Sequence, residues 1–107
     1  MYKDISQEEF RMIMGEGDIS SDVVILDVRT EAETKEGIIK NALNIDISAP
    51  NFGEQIQYLD REKSYLVYCR SGARSGQACQ FMSMNSFGDV YNLIGGVMAW
   101  NGELVSP

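Results

Sequence analysis

The sequence predicts a single α/β domain in which helices cover both faces of a parallel sheet. Two apolar runs, at residues 23–28 and 65–68, are rich in β-branched and aromatic side chains, as is usual for strands buried on both faces. Amphipathic segments alternate with such runs, and strands that alternate with helices are typical of parallel sheets. The chain has 107 residues, the common size of one domain, so we expect residues 1–107 to form one unit.

Helix starts are indicated by two capping boxes, in which Ser or Thr is followed three residues later by Glu. Ser6 with Glu9 begins the first predicted helix, and Thr30 with Glu33 begins a second, shorter one. Glycine commonly follows the last residue of a helix. The expected helix ends are therefore Gly15 or Gly17 for the first helix and Gly37 for the second.

Further strands and helices complete the alternation. They are a short strand over residues 42–47, a helix begun by Asn51 and Glu54 that carries Ile56, Tyr58 and Leu59, a helix over residues 75–84, a strand over residues 90–94 and a helical turn that holds Trp100. In the helix over residues 75–84, helical spacing predicts an inner face of Ala78, Cys79, Phe81 and Met82.

Charge and composition exclude several classes of function. The formal net charge of −7 argues against nucleic acid or an anionic membrane as the main partner. The chain contains no histidine, which removes Ser-His-Asp and Cys-His catalysis and the commonest metal ligand. We therefore expect no metal site.

Cysteine usage and hydropathy predict a cytoplasmic protein. Two cysteines are too few for a disulfide framework, so both are interpreted as free thiols in a reducing compartment, with a single disulfide as the alternative. No apolar run approaches the ~20 residues of a membrane-spanning helix. No signal-peptide pattern opens the chain.

The segment that follows the run at residues 65–68 is the candidate site. Cys69 lies at the carboxyl end of that predicted strand, where ligands bind in open α/β sheets. The next residues are small or polar, so their backbone N–H groups can turn inward as an anion nest, and the following helix adds its positive N-terminal end. Arg70 and Arg74 add local cationic charge.

These features favour the thiolate form of Cys69. A helix N-terminus and neighbouring arginines lower a cysteine pKa from ~8.5 to a range of ~3.5–7.5, and such a thiolate is nucleophilic without a histidine base. The alternative is that Cys69 is a small buried hydrophobic residue. Its position in a polar loop with two arginines favours the functional interpretation. Cys79, which lies among apolar residues at helical spacing, is instead predicted to pack in the core.

Three motifs, in order along the chain, resemble signatures of the rhodanese homology domain. They are Leu26-Asp27-Val28-Arg29-Thr30 followed by Glu33 and Gly37, then Cys69-Arg70-Ser71-Gly72-Ala73-Arg74-Ser75, and finally Tyr91-Asn92-Leu93 leading to Gly95-Gly96 and Ala99-Trp100. Together they extend roughly from Ile5 to Asn101. The sequence departs from the family where its signature often reads Gly-His-Ile-Pro-Gly-Ala, because this chain has Gly37-Ile38-Ile39-Lys40-Asn41-Ala42.

The resemblance implies a rhodanese-like fold, with a five-stranded parallel sheet flanked by helices on both faces. It also implies that Cys69 is the catalytic nucleophile and carries sulfur as a covalent persulfide, with no separate cofactor. The implied donor is thiosulfate or a similar sulfane-sulfur compound, and the acceptor is a thiol, cyanide or a protein. The residues implied for the substrate-binding loop are Arg70, Ser71, Gly72, Ala73 and Arg74, whose N–H groups form a cradle, with Arg70 as a candidate donor- or acceptor-binding residue at its rim.

Asp27, Arg29 and Glu33 are predicted to support this loop as a charged network rather than to contact substrate. Gly95 and Gly96 are predicted to form a tight turn, and Trp100 to pack in the core.

Two alternative functions remain open from the sequence. A phosphatase or arsenate reductase on the same fold is the first, although the phosphatase-type loop is one residue longer than the segment between Cys69 and Arg74. The second is a non-catalytic rhodanese-like binding module, although such modules commonly lack the cysteine.

Overall fold

A computed structural model describes residues 1–15 and 20–107. Helices and strands alternate along the chain. Their bounds are β1 Lys3–Ile5, α1 Gln7–Met14, β2 Val23–Asp27, α2 Glu31–Thr34, β3 Leu43–Asn44, α3 Phe52–Gln57, β4 Ser64–Tyr68, α4 Ala73–Met84, β5 Asp89–Leu93 and α5 Gly96–Ala99.

The strands form one sheet, which confirms the predicted α/β class. Within the described residues the sheet has five strands in the order β1-β5-β4-β2-β3, and every neighbouring pair is parallel. Strand β4 is central, with Leu66 level with Ile25 of β2 on one side and with Tyr91 of β5 on the other. This position explains the uninterrupted apolar sequence of β4, because a central strand with helices on both faces has no solvent-facing side.

The core lies on both faces of β4. Successive side chains of a strand point to opposite faces, so Tyr65 and Val67 join one buried cluster and Leu66 and Tyr68 join the other. Cys69 continues the alternation on the side of Tyr65 and Val67. The strand therefore delivers Cys69 to the carboxyl edge of the sheet, on the face covered by α4.

Several elements agree with the sequence prediction. Ser6 and Thr30 are N-caps with complete capping boxes. Helix α1 ends at Gly15, whose φ is +75°, whereas the alternative end at Gly17 lies outside the described residues. Helix α4 begins at Ala73 rather than at Ser75, and Ala78, Cys79 and Met82 of its predicted inner face are buried.

Other elements differ from the prediction. Strand β1 was not predicted, and β3 spans two residues instead of the expected run over residues 42–47. Helix α2 ends at Thr34 with Lys35 as its C-cap, so Gly37 does not end it. Instead Gly37 lies where its Cβ, if present, would be 3.0 Å from the Leu104 side chain. Tyr58 is the exposed C-cap of α3.

Trp100 is packed at the edge of the core rather than inside it. Its ring makes an edge-to-face contact with Phe10, with ring centroids 5.5 Å apart, and the Arg11 guanidinium lies over the Trp100 ring, 4.6 Å from its centroid. Among the residues that the structure describes, no helix is long and apolar enough to cross a bilayer.

Candidate active site

Cys69 is fully buried and its Sγ lies in a pocket of hydrogen-bond donors. The N–H of Gly72 donates to Sγ at 3.1 Å, and both the N–H and the hydroxyl of Ser75 lie 3.4 Å from it. Gly72 is the N-cap of α4 and has no side chain to cap the helix. The sulfur of Cys69 therefore takes the place of a capping side chain, because it accepts from an N–H group of the first turn that has no partner within the helix.

The donors around Sγ favour its ionised form. Burial by itself raises the pKa of the Cys69 thiol, but hydrogen bonds from the Ser75 hydroxyl and from the N–H groups of Ser75, Gly72 and Ser71 outweigh it. The net result is a pKa below the ordinary value for cysteine. Hydrogen bonds to the charged form act in this direction.

The composition of the cradle differs from the sequence prediction. The resemblance implies a cradle formed by the N–H groups of residues 70–74, whereas Ser75, one position beyond that range, supplies two of the contacts to Sγ. Gly72 fits its position because its φ of +106° belongs to a region that residues with a Cβ rarely adopt. Ala73 is the first residue of α4.

Arg74 is not a free cation beside the sulfur, because it is paired with Glu33. Its guanidinium donates to both carboxylate oxygens of Glu33, at 2.7 and 2.8 Å. The hydrogen bond from Arg74 is the main reason that the pKa of Glu33 falls to about 2, with the Thr30 cap adding to it and burial opposing it. Arg74 therefore ties the first turn of α4 to the N-terminal cap of α2.

Asp27 and Arg29 form a second ion pair. Arg29 Nη2 lies 2.7 Å from Asp27 Oδ2, and both side chains are buried. Arg29 also donates to the carbonyl oxygens of Gly37 at 2.8 Å and of Glu33 at 3.4 Å. The three predicted residues therefore lie in two ion pairs, Asp27–Arg29 and Glu33–Arg74. The hydrogen bond from Arg29 to the Glu33 carbonyl oxygen links these pairs, and the Glu33 carboxylate binds Arg74 of the predicted loop.

Helix α5 also holds the loop, through hydrogen bonds from its backbone. The N–H groups of Val97 and Met98 donate to the carbonyl oxygens of Cys69 and Arg70, each at 3.0 Å. Gly96, with φ of +56°, permits this approach, because a Cβ there would lie 2.4 Å from both carbonyl oxygens. The predicted tight turn at Gly95 and Gly96 is therefore also the contact that fixes the loop.

This arrangement matches known proteins. The family model described as Rhodanese-like domain matches residues 6–103. The chain belongs to the rhodanese-like domain family.

Relatives of this rhodanese-like domain include named sulfurtransferases. It is 37% identical over 81 residues to a sulfurtransferase of Allochromatium vinosum, covering 76% of this chain and 74% of that protein. It is 37% identical over 100 residues to the thiosulfate sulfurtransferase GlpE of Coxiella burnetii, covering 94% of this chain and 88% of that protein. The crystal structure of a rhodanese-like domain protein from Staphylococcus aureus is similar with a TM-score of 0.82, 30% identity and 98% coverage of each chain. These relatives support sulfur transfer as the general class of its activity.

Arg70 directly follows Cys69 of the rhodanese-like site and is exposed. It lines a cavity of about 230 Å³ together with Arg29, the carboxylates of Glu33 and Glu36, and apolar side chains that include Met98 and Leu104. Arg70 therefore offers a cationic group at the rim, whereas Arg74 is engaged by Glu33.

The second cysteine of the rhodanese-like domain is in a different environment. Cys79 is a free thiol like Cys69, but it is buried in the core beside Ala78 and Met82. Burial is the main cause that raises its pKa far above the ordinary value, and Asp4 and Cys69 add to the effect. Cys79 is thus a core residue that stays protonated.

Ser75 and Asn92 are the site residues that the functional assignment from sequence missed. Ser75 Oγ lies 2.5 Å from Asn92 Oδ1, and both residues are buried. The sequence feature that could have indicated Asn92 is its polar side chain between the apolar residues of β5, since a buried polar side chain normally has a hydrogen-bonding partner.

Proposed function

We propose that this protein is a sulfurtransferase in which Cys69 carries sulfur as a persulfide, and that thiosulfate or a related sulfane-sulfur compound is the donor. In the first step the Cys69 thiolate attacks the outer sulfur of thiosulfate. A sulfur–sulfur bond forms to Cys69, the sulfur–sulfur bond of the donor breaks, and sulfite leaves with the electron pair. Cys69 then holds one additional sulfur atom as an anionic persulfide.

In the second step a thiol, cyanide or a protein thiol takes the outer sulfur. With cyanide, carbon bonds to the outer sulfur, the persulfide bond breaks, and thiocyanate leaves while Cys69 recovers its thiolate. The cycle needs no bound cofactor, because the transferred sulfur is already at the oxidation level at which it leaves. Two free thiols in the chain fit a reducing compartment such as the cytoplasm, which we propose as the location.

The observation that carries this proposal is the set of donors on Cys69 Sγ. The thiolate is both the attacking group of the first step and the leaving group of the second, so a lowered thiol pKa assists departure in transfer. The N–H groups of Gly72 and Ser75 are already oriented toward the sulfur in the folded protein. Fixed donors of this kind stabilise developing negative charge without reorganisation during the reaction.

Charge at the rim supports an anionic donor. Arg70 is exposed and directly follows Cys69 in the chain, and thiosulfate is a dianion that a guanidinium binds through charged hydrogen bonds. The protein as a whole carries a net charge of −7, which repels the same dianion at long range. We therefore propose that thiosulfate is a weak donor and that Arg70 accounts for much of its binding.

Intact mass spectrometry after incubation with thiosulfate and gel filtration tests the proposal. We expect the wild-type protein to gain the mass of one sulfur atom. Cys69→Ser should gain none, whereas the matched variant Cys79→Ala should gain it as the wild type does. Added sulfur in Cys69→Ser, or none in the wild type with thiosulfate and with polysulfide, would refute the proposal.

A further inference from the structure

The hydroxyl of Ser75 faces two acceptors but has one proton to give. Ser75 Oγ lies 3.4 Å from Cys69 Sγ and 2.5 Å from Asn92 Oδ1. A serine hydroxyl donates a single hydrogen bond and accepts through its lone pairs. The two contacts therefore cannot both be donated by Ser75 at the same time.

The orientation of the Asn92 amide is fixed by its other contacts. Asn92 Nδ2 donates to Asp4 Oδ1 at 2.9 Å and to the carbonyl oxygen of Gly72 at 3.3 Å. Both partners are acceptors, so rotating the amide would place its oxygen against two oxygens. Asn92 thus presents Oδ1 to Ser75, and Oδ1 needs a donor because Asn92 is buried.

We propose that Asn92 is a positioning residue that binds the Ser75 proton while Cys69 is a thiol and releases it when Cys69 becomes a thiolate. In the thiol state, the Cys69 S–H donates to Ser75 Oγ and the Ser75 O–H donates to Asn92. In the thiolate state, the Ser75 O–H turns to the sulfur. No proton leaves Ser75 in this exchange, since the hydroxyl only rotates about its C–O bond.

Cys69 Sγ and Asn92 Oδ1 therefore compete for the one proton of the Ser75 hydroxyl, and this competition opposes ionisation of Cys69. Turning the Ser75 O–H to the sulfur leaves Asn92 Oδ1 without that donor, and a buried acceptor without a donor is costly. Asn92 therefore opposes the thiolate, whereas Ser75 stabilises it. The proposal rests on the assignment of Cys69 as the nucleophile. It explains what determines the pKa of the Cys69 thiol, on which the quality of the thiolate as a leaving group depends.

Other charged or titratable groups also act on this sulfur. Arg74 of α4 and Cys79 interact electrostatically with Cys69, and Asp4 of β1 lies behind Asn92. The comparison that isolates Asn92 uses Cys79→Ala as the common background, so that one thiol titrates, and it keeps Arg74 and Asp4 in every variant. Asp4 loses the hydrogen bond from Asn92 in Asn92→Leu, and the same loss occurs in the Ser75→Ala background, which controls for it.

The experiment is a pH titration of the Cys69 thiolate by its ultraviolet absorbance, in the full chain without any sulfur donor. Asn92→Leu removes the competing acceptor, and we expect it to lower the pKa of Cys69 by about half a unit or more. Ser75→Ala should raise this pKa. In the Ser75→Ala background, Asn92→Leu should have no effect, because the proton for which the two acceptors compete is absent. Asn85→Leu, at the opposite end of α4, is the matched control and should leave the pKa unchanged.

Two results would overturn the proposal. One is an unchanged or raised pKa in Asn92→Leu, as expected if Asn92 only maintains the loop. The other is a fall of equal size in the Ser75→Ala background, which would mean that Asn92 acts by another route. Should Asn92→Leu fail to fold, Asn92→Ala also lacks the acceptor and is titrated in its place. Because no sulfur is transferred in this titration, its outcome is separate from that of the persulfide measurement.

Discussion

The carboxylate of Glu33 and the guanidinium of Arg74 form an ion pair with two hydrogen bonds, of 2.7 and 2.8 Å. Glu33 also completes the capping box of α2 through Thr30. Arg74 lies in the first turn of α4, directly after the loop that holds Cys69. One carboxylate therefore joins two helix N-termini at the edge of the site.

Glu33→Gln tests the contribution of this pair to stability. Glutamine keeps the capping geometry but removes the charge, so at neutral pH we expect a loss of about 0.5–1 kcal/mol in the free energy of unfolding, as for other partly exposed pairs. The folded-state pKa of Glu33, about 2, lies below the ordinary 4.5 of a glutamate side chain. The stabilisation is therefore complete above pH 4.5 and is lost as the pH falls toward 2.

Denaturant unfolding of both proteins at a series of pH values provides the measurement. The difference between wild type and Glu33→Gln should shrink as the pH falls from about 4.5 toward 2. A difference that is constant over this range would show that the charge of Glu33 does not stabilise the fold.

Gly96→Ala tests the contact between α5 and the loop. The added Cβ would lie 2.4 Å from the carbonyl oxygens of Cys69 and Arg70, so the loop must shift. We expect the rate of sulfur transfer to fall on the order of tenfold or more, because a displacement of the nucleophile by about 1 Å lowers the reaction rate strongly. Gly88→Ala is the control, because a Cβ there meets nothing within 4 Å. Equal sulfur-transfer rates in the two variants would argue against the buttressing role of Gly96.

Arg70→Ala tests donor binding at the rim. We expect a several-fold rise in KM for thiosulfate at moderate salt, with a smaller change in kcat, because Arg70 attracts the dianion without contacting Cys69 Sγ. Lys63→Ala is the matched control: Lys63 precedes the amino end of β4, whereas Arg70 follows its carboxyl end. An Arg70→Ala protein with the KM of the wild type would exclude Arg70 as a donor-binding residue.

The salt dependence of the same kinetics separates local from global charge. At ~0.1 M salt the screening length is ~10 Å, so the distant acidic charge is screened before the charge of Arg70. The wild-type KM should fall or stay constant as salt is raised from low values. A KM that rises steeply with salt would mean that local attraction outweighs the net charge throughout.

Loop length predicts negligible hydrolysis of an aryl phosphate. Four residues separate Cys69 from Arg74, and Arg74 is held by Glu33 rather than free to bind a phosphate. Inserting one glycine between Gly72 and Ala73 should weaken persulfide formation, because it displaces the N–H groups of the first turn of α4 from Sγ. Turnover of aryl phosphate by the unmodified protein at a rate above that of sulfur transfer would contradict the loop-length argument.

Much of the fold follows from local sequence pattern. The capping boxes at Ser6 and Thr30 and the apolar strands β2 and β4 are signals that neighbouring residues carry by themselves. Strand β1 has no such signal, because its three residues, Lys3–Ile5, become a strand through pairing with β5. Strand β3 is also set by pairing. Beyond its two residues, the N–H of Ile45 donates to the carbonyl oxygen of Asp27 in β2, and the N–H of Ile47 donates to that of Val28, directly after β2.

The sequence predicts the nucleophile of the candidate site, but it predicts fewer of the residues that contact this nucleophile. The position of Cys69 follows from a strand that ends in a polar loop. The partners of that loop depend on residues far away in sequence: Glu33 is 41 residues from Arg74, and Asn92 is 17 residues from Ser75. No local pattern pairs such residues. The sequence therefore predicts both arginines near the sulfur and gives no indication that Ser75 and Asn92 belong to the site.

The most direct test of Cys69 as a sulfur carrier separates the two half-reactions. The protein is incubated with thiosulfate, freed of donor by gel filtration, and then mixed with cyanide or a small thiol. We predict that Cys79→Ala and the wild type each release one equivalent of transferable sulfur and return to the unmodified mass, whereas Cys69→Ser releases none. Sulfur that stays on the protein in the presence of acceptor, or release by Cys69→Ser equal to that of the wild type, would contradict the account.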